Sequence, residues 1–186
     1  MLNKFNNKFT HAALSLDEKI NACSLFNIPE KPWIIFTRLI YGHFFLATTL
    51  FIVGTLCFCL GLQYSIMYNE VNCTNGINIW IPLLNLIVSL SGLFMLRTLQ
   101  LHWPAFIYCL GLWIMVIMML VTITDNIFAS LRWFNVARKP IDQWAAIFSW
   151  TDLILAILAI LNEISYVFIL VSFVKYWYQS SSVTNN

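Results

Sequence analysis

Asn162 and Glu163 interrupt the run LAILAILNEISYVFILVSFV (155–174), which is otherwise fit for hydrocarbon. An ionised carboxylate at the centre of a spanning helix costs about 2.5–3.5 kcal/mol on insertion scales, so it faces protein, finds a partner or takes up a proton. A group able to share that proton stands in another apolar run, His43 in IIFTRLIYGHFFLATTLFIVGTLCFCLGL (34–62). His43 lies nine residues after Ile34, and Glu163 lies eleven before Val174. At 1.5 Å per residue these depths are about 14 and about 17 Å. If both outer ends of these runs lie on one side of a membrane, the spacing predicts a Glu163/His43 pair that handles a proton or holds a partner's helix. Thr48, Thr49 and Asn162 extend the hydrogen bonding, and Asn85 with Ser89 and Ser91 adds polar groups from a third run. The same residue types also serve simply to hold a bundle together, at about 0.6 kcal/mol per interhelical bond. That structural role is the leading reading.

The elements that must position these groups follow from composition. Hydrophobic residues are 60% of the 186 and charged residues 10%, against about 45–50% and about 25% in an average soluble domain. A hydrocarbon core about 30 Å thick takes about 20 apolar helical residues, and four segments qualify: 34–62, 79–96, 104–124 and 153–174. The expected fold is all-α, a polytopic four-transmembrane-helix bundle over 34–174, with a leader (1–33) and a disordered tail (175–186). The first thirty residues hold no continuous apolar h-region or small-residue cleavage site, so the first span is expected to act as an uncleaved signal anchor.

Lys4, Lys8, Lys19, Lys31, Arg38, Arg97 and Lys175 fall on one side of a four-span arrangement, and Arg132, Arg138 and Lys139 on the other. The excess of positive charge predicts cytosolic termini. Trp33, Trp80, Trp103, Trp150 and Trp177 each lie near an expected span end, as interfacial aromatics do. Asn72-Cys73-Thr74 is an N-x-[ST] sequon in the first outer loop, which makes Asn72 a glycosylation candidate.

In the leader, Ser15-Leu16-Asp17-Glu18 has the form of a capping box before a short amphipathic segment. In DNIFASLRWFNVARKP (125–140), Ile127, Phe128, Leu131 and Phe134 recur at helical spacing, with Arg132, Asn135, Arg138 and Lys139 as the polar complement and Pro140 as the stop. Two readings stay open: a helix lying in the outer interface, or one packed over the end of the bundle. The five cysteines form no zinc pattern. Cys23 is a candidate for acylation. For Cys73, a bridge to Cys59, an intermolecular bond and a free thiol are equally open. Cys57, Cys59 and Cys109 read as small apolar packing residues.

No H-E-x-x-H, G-x-S-x-G or P-loop occurs, and the charge of +2 gives no basic stripe for nucleic acid. The expectation is a non-enzyme without cofactor or metal, whose partners are the lipid bilayer and other membrane-protein helices or further copies of itself. The C-C-G motif of tetraspanins and the G-L-W of claudin-like proteins are absent; GLQY (61–64) stands instead. In topology alone the chain resembles lysosomal-associated four-span proteins. Their cytosolic cysteine cluster and Pro-Tyr sorting motif are missing, so no residue role carries over. The leading function is an accessory or scaffolding subunit of a larger membrane complex, in the plasma membrane or an endolysosomal membrane. The alternatives are a small proton-coupled transporter or oligomeric pore built on Glu163 and His43, and a trafficking or lipid-interacting protein.

Overall fold

The computed structural model of the chain describes residues 11, 14–15, 30–64, 72–97, 102–137 and 143–183. The expected capping box, the acylation candidate Cys23, and Arg138 and Lys139 lie outside the described residues. Four α-helices follow one another: α1 (Glu30–Tyr64), α2 (Ile77–Arg97), α3 (His102–Ala137) and α4 (Gln143–Val183), with a 3-10 turn at Asn72–Asn75. No strand occurs among the described residues. Each helix contains a stretch long and apolar enough to cross a membrane, as expected of a multi-pass membrane protein.

All four helices outrun their expected bounds, α3 and α4 by the most. α3 continues thirteen residues past Thr124, and α4 starts ten before Leu153 and continues nine past Val174. The expected separate helix over 127–139 is therefore, as far as Ala137, the continuation of α3, and the first part of the expected tail is helical. Neither 112–137 nor 143–183 contains a glycine or proline, so nothing local breaks the ladder. Packing holds the extensions together. The Ser130 hydroxyl donates to the Ser149 carbonyl (3.0 Å), and the Ser149 hydroxyl donates to the Ser130 carbonyl (3.1 Å). Trp133 lies against Phe148 with ring centroids 5.5 Å apart, and Tyr64 from α1 closes over Trp144 at 4.1 Å.

The helices form a ring in which α1 touches α2 and α4, and α3 touches α2 and α4. Small residues bring the axes close. Ala47, Ala156 and Ala159 are fully enclosed, and at Gly92 a Cβ would come within 2.8 Å of the Tyr108 ring. The closest approach is between α1 and α2. Pro82 lies inside α2 and has no N–H to offer the Asn78 carbonyl one turn earlier. That freed carbonyl points at Gly54 of α1, where a Cβ would overlap its oxygen. Gly76, at φ +71°, makes the turn into α2, and its carbonyl accepts from Ile79 and Trp80. The outward faces stay apolar: Phe45, Ile87, Ile117 and Val171 are each at least half exposed, as suits lipid.

A disulfide joins Cys57 on α1 to Cys73 in the 3-10 turn, with Cα atoms 5.3 Å apart. The partner of Cys73 is thus Cys57, expected only to pack, rather than Cys59, a thiol of another molecule or none. Cys59 lies two residues further along the helix, about 200° round the axis, and is exposed. Closing a loop across 16 residues is worth about 3 kcal/mol on the chain-entropy account. Cys57→Ser and Cys73→Ser are each expected to lower stability by up to that amount and to free one alkylatable thiol, while Cys59→Ser leaves the bridge intact. Mass spectrometry of alkylated protein before and after reduction distinguishes the pairings.

Candidate functional site

At mid-bundle, each of the four helices sends polar side chains into the centre. His43 (α1), Asn85 (α2), Tyr108 (α3), and Asn162 and Tyr166 (α4) all have no exposed surface. One backbone group sets the direction of every bond among them. The Leu158 carbonyl can only accept, so the Asn162 amide turns its Nδ2 to it at 2.8 Å. Asn162 Oδ1 is then left to accept from Asn85 Nδ2 at 3.0 Å. Asn85 Oδ1 in turn accepts from the Tyr166 hydroxyl at 2.5 Å and from His43 Nε2–H at 3.0 Å. In the neutral imidazole Nδ1 is then an acceptor, and the Tyr108 hydroxyl donates to it at 2.9 Å. The network works entirely with neutral groups.

The His43–Tyr108 bond spans the α1–α3 diagonal of the ring, and the Asn85–Asn162 and Asn85–Tyr166 bonds span the α2–α4 diagonal. The imidazole is further fixed by the Tyr166 ring, edge-on at 5.1 Å. Register is specified thereby: sliding any one helix by a residue turns its polar group about 100° away.

No known family model, curated protein or solved structure matches this chain. What the site does must come from its own geometry.

His43, Asn85 and Asn162, singled out by sequence, do come together. Glu163 does not join them. The expected Glu163/His43 pair is replaced by Asn85 and Tyr108 as the partners of both imidazole nitrogens. The reason is angular. Asn162 and Tyr166 are four residues apart and share the buried face, whereas Glu163 is turned about 100° from Asn162. Glu163 is half-buried at the edge of α4, and its Oε2 is enclosed without a hydrogen-bond partner. Thr48 and Thr49 bond their own helix, to the carbonyls of Phe44 and Phe45, and Ser89 and Ser91 do the same to Leu86 and Val88.

A second polar group sits nearer the bridge end, about 21 Å along α1 from His43. Here Asn126 Nδ2 donates to Asn78 Oδ1 (3.1 Å) and to the Thr122 carbonyl (2.9 Å). Asp152 is completely enclosed, with Oδ1 4.0 Å from Cys57 Sγ. Asp125 lies near enough to act on the Asp152 carboxyl electrostatically. Asn78 Nδ2, Asp125 Oδ2, Asn126 Oδ1 and Asp152 Oδ2 are all enclosed without a partner. Donor atoms of Cys57, Cys73 and Asp152 lie within 4.8 Å of one another, but the two sulfurs are bonded to each other and offer no thiolate to a metal.

Sequence reasoning missed Tyr108, Tyr166, Asp125 and Asp152. Tyr166 carried a usable signal in its four-residue spacing from Asn162. Asp125 and Asp152 directly flank the expected spans 104–124 and 153–174, where a carboxylate resembles a boundary. At the sequon, Asn72 Nδ2 is enclosed in the 3-10 turn and Asn72 Oδ1 accepts from Asn75 at 3.3 Å, so a glycan there requires that turn to open. Arg132 is exposed on the extension of α3.

Proposed function

We propose that the chain is a non-enzymatic accessory or scaffolding subunit of a membrane complex, rigid within itself and docking laterally through the Glu163 edge of α4. The observation that carries this reading is the contrast between the interior polar tier and Glu163. The tier satisfies its own bonds across both diagonals, so it holds one arrangement of helices and spends its polar groups on one another. Glu163 instead keeps an enclosed carboxyl oxygen without a partner at mid-membrane depth, where a donor from a neighbouring helix would complete it. Both termini are placed in the cytosol. The seven-to-three distribution of lysine and arginine supports this, and so does the Cys57–Cys73 bridge at the opposite end, which suits an oxidising compartment. With this orientation the proposed location is the plasma membrane or an endolysosomal membrane, where the bridge end would face an oxidising compartment.

The test is purification in mild detergent. Wild type is expected to carry a membrane-protein partner in fixed stoichiometry. Glu163→Leu is expected to release it, with the affinity falling roughly ten- to hundredfold if one charge-assisted bond is lost. Folding of the isolated chain should be unchanged. A chain that purifies alone, and whose proteoliposomes show a pH-dependent flux abolished by Glu163→Gln, overturns the subunit reading. The unpartnered atoms around Asp125 and Asp152 favour that second, ion-handling reading, because such groups bind water, a proton or a cation. A flux abolished by Asp152→Asn rather than Glu163→Gln would move the function to the bridge end.

A further inference from the structure

On the edge of α4 opposite to Glu163, a groove of about 470 Å³ runs between α1 and α4. Its α1 wall rises from Ile35 and Arg38 past Gly42 to Leu46, and its α4 wall runs from Phe168 to Leu161. Eleven residues separate Ile35 from Leu46, which is about 16 Å of helix. Half of a hydrocarbon core is about 15 Å, so the groove has the length of one leaflet's acyl layer. Its inner end lies level with the mid-bundle tier, alongside His43 on α1 and Asn162 on α4. Its walls are apolar except for Ser165 and one full charge, Arg38, which is exposed near the end of α1 that also carries Trp33. A long cationic side chain at that level reaches back towards the head groups. The floor is open because residue 42 is glycine: a Cβ there would meet nothing within 4 Å.

We propose that this groove is a resident phospholipid site, with one acyl chain lying along Gly42 between α1 and α4 and the lipid phosphate held by Arg38. An α1 wall as long as one leaflet, faced by about 10 Å of α4 and with a guanidinium at the head-group end, matches a phospholipid in both length and charge. A bare helix from a partner would bring no anion to Arg38. Guanidinium is also the side chain best shaped to take a phosphate by paired hydrogen bonds. The site is independent of the docking role given to Glu163, since the two lie on opposite edges of α4.

The experiment uses full-length protein in phosphatidylcholine vesicles doped with phosphatidylserine that bears a photoreactive group midway along one acyl chain. Peptides covering 35–46 and 161–168 should carry most of the adduct. Gly42→Leu sets its Cβ in open space, extends over the groove floor and should abolish labelling of those peptides, while the Cys57–Cys73 bridge and the unfolding midpoint stay as in wild type. Arg38→Gln should weaken retention of the lipid through detergent purification by about tenfold, as loss of one charge-assisted contact implies. Labelling spread evenly over the lipid-facing sides of all four helices overturns the proposal, and so does labelling of 35–46 that Gly42→Leu leaves unchanged. Co-purification of a free fatty acid, or cross-linking of a protein helix to the groove, also overturns it.

Discussion

Asn85→Leu is expected to destabilise the bundle by roughly 2–5 kcal/mol. Leucine keeps the volume but removes both halves of the amide. Three enclosed groups then lose their partners together: His43 Nε2–H, the Tyr166 hydroxyl and Asn162 Oδ1. Single interhelical bonds in membranes average about 0.6 kcal/mol and reach about 1.7, so only a hub of this kind reaches such a figure. Ser172→Ala removes a hydroxyl that bonds its own helix at Phe168 and should stay within about 0.5 kcal/mol. Detergent-solubilised protein unfolded by heat or SDS, followed by circular dichroism, gives both values. Combining Asn85→Leu with His43→Phe should cost less than the sum of the two, because the bond between them is lost only once. An Asn85→Leu protein as stable as wild type would remove the basis for calling the interior rigid.

Gly54→Val is expected to have the larger effect, above about 3 kcal/mol, and to show first as lost folded yield. The obstacle is the backbone carbonyl of Asn78, which cannot swing aside as a side chain can. α1 and α2 must separate, and the partners Asn85 and His43 separate with them. Even Gly54→Ala should destabilise. The contrasting substitution is Gly42→Ala, where a Cβ meets open space; there alanine should be neutral or stabilise by up to about 1 kcal/mol through helix propensity. Yield by fluorescence size-exclusion and the thermal midpoint separate the two glycines.

The four spans were legible in the sequence because their signal is cumulative: some twenty apolar residues in a row leave little alternative. The ends of α3 and α4 were not, since Asp125, Asn126 and Asp152 look like boundaries when their neighbours in space are unknown. They sit inside continuous helices at the bridge end, Asn126 bonded to Asn78 and Asp152 beside Cys57. Depth along a helix was readable: it set His43 about level with Glu163, and the imidazole packs on Tyr166 three residues further on. Angle was readable too and went unused: a step of one residue separates Glu163 from the face that Asn162 shares with Tyr166. The choice of Cys57 over Cys59 turns on the same rotation. Tyr108 was hidden because a tyrosine near the start of an apolar run resembles an ordinary interfacial aromatic.

Because the mid-bundle tier draws on every helix, it has a consequence for biogenesis. A nascent chain that has inserted only α1 to α3 holds an Asn85 amide whose bonds to α4 do not yet exist, in surroundings without water to replace them. Completion of the polypeptide therefore coincides with the disappearance of that exposed polar patch. Truncated or mis-inserted copies would go on displaying it, a chemical flag that intramembrane surveillance machinery could read before any loop or tail is inspected.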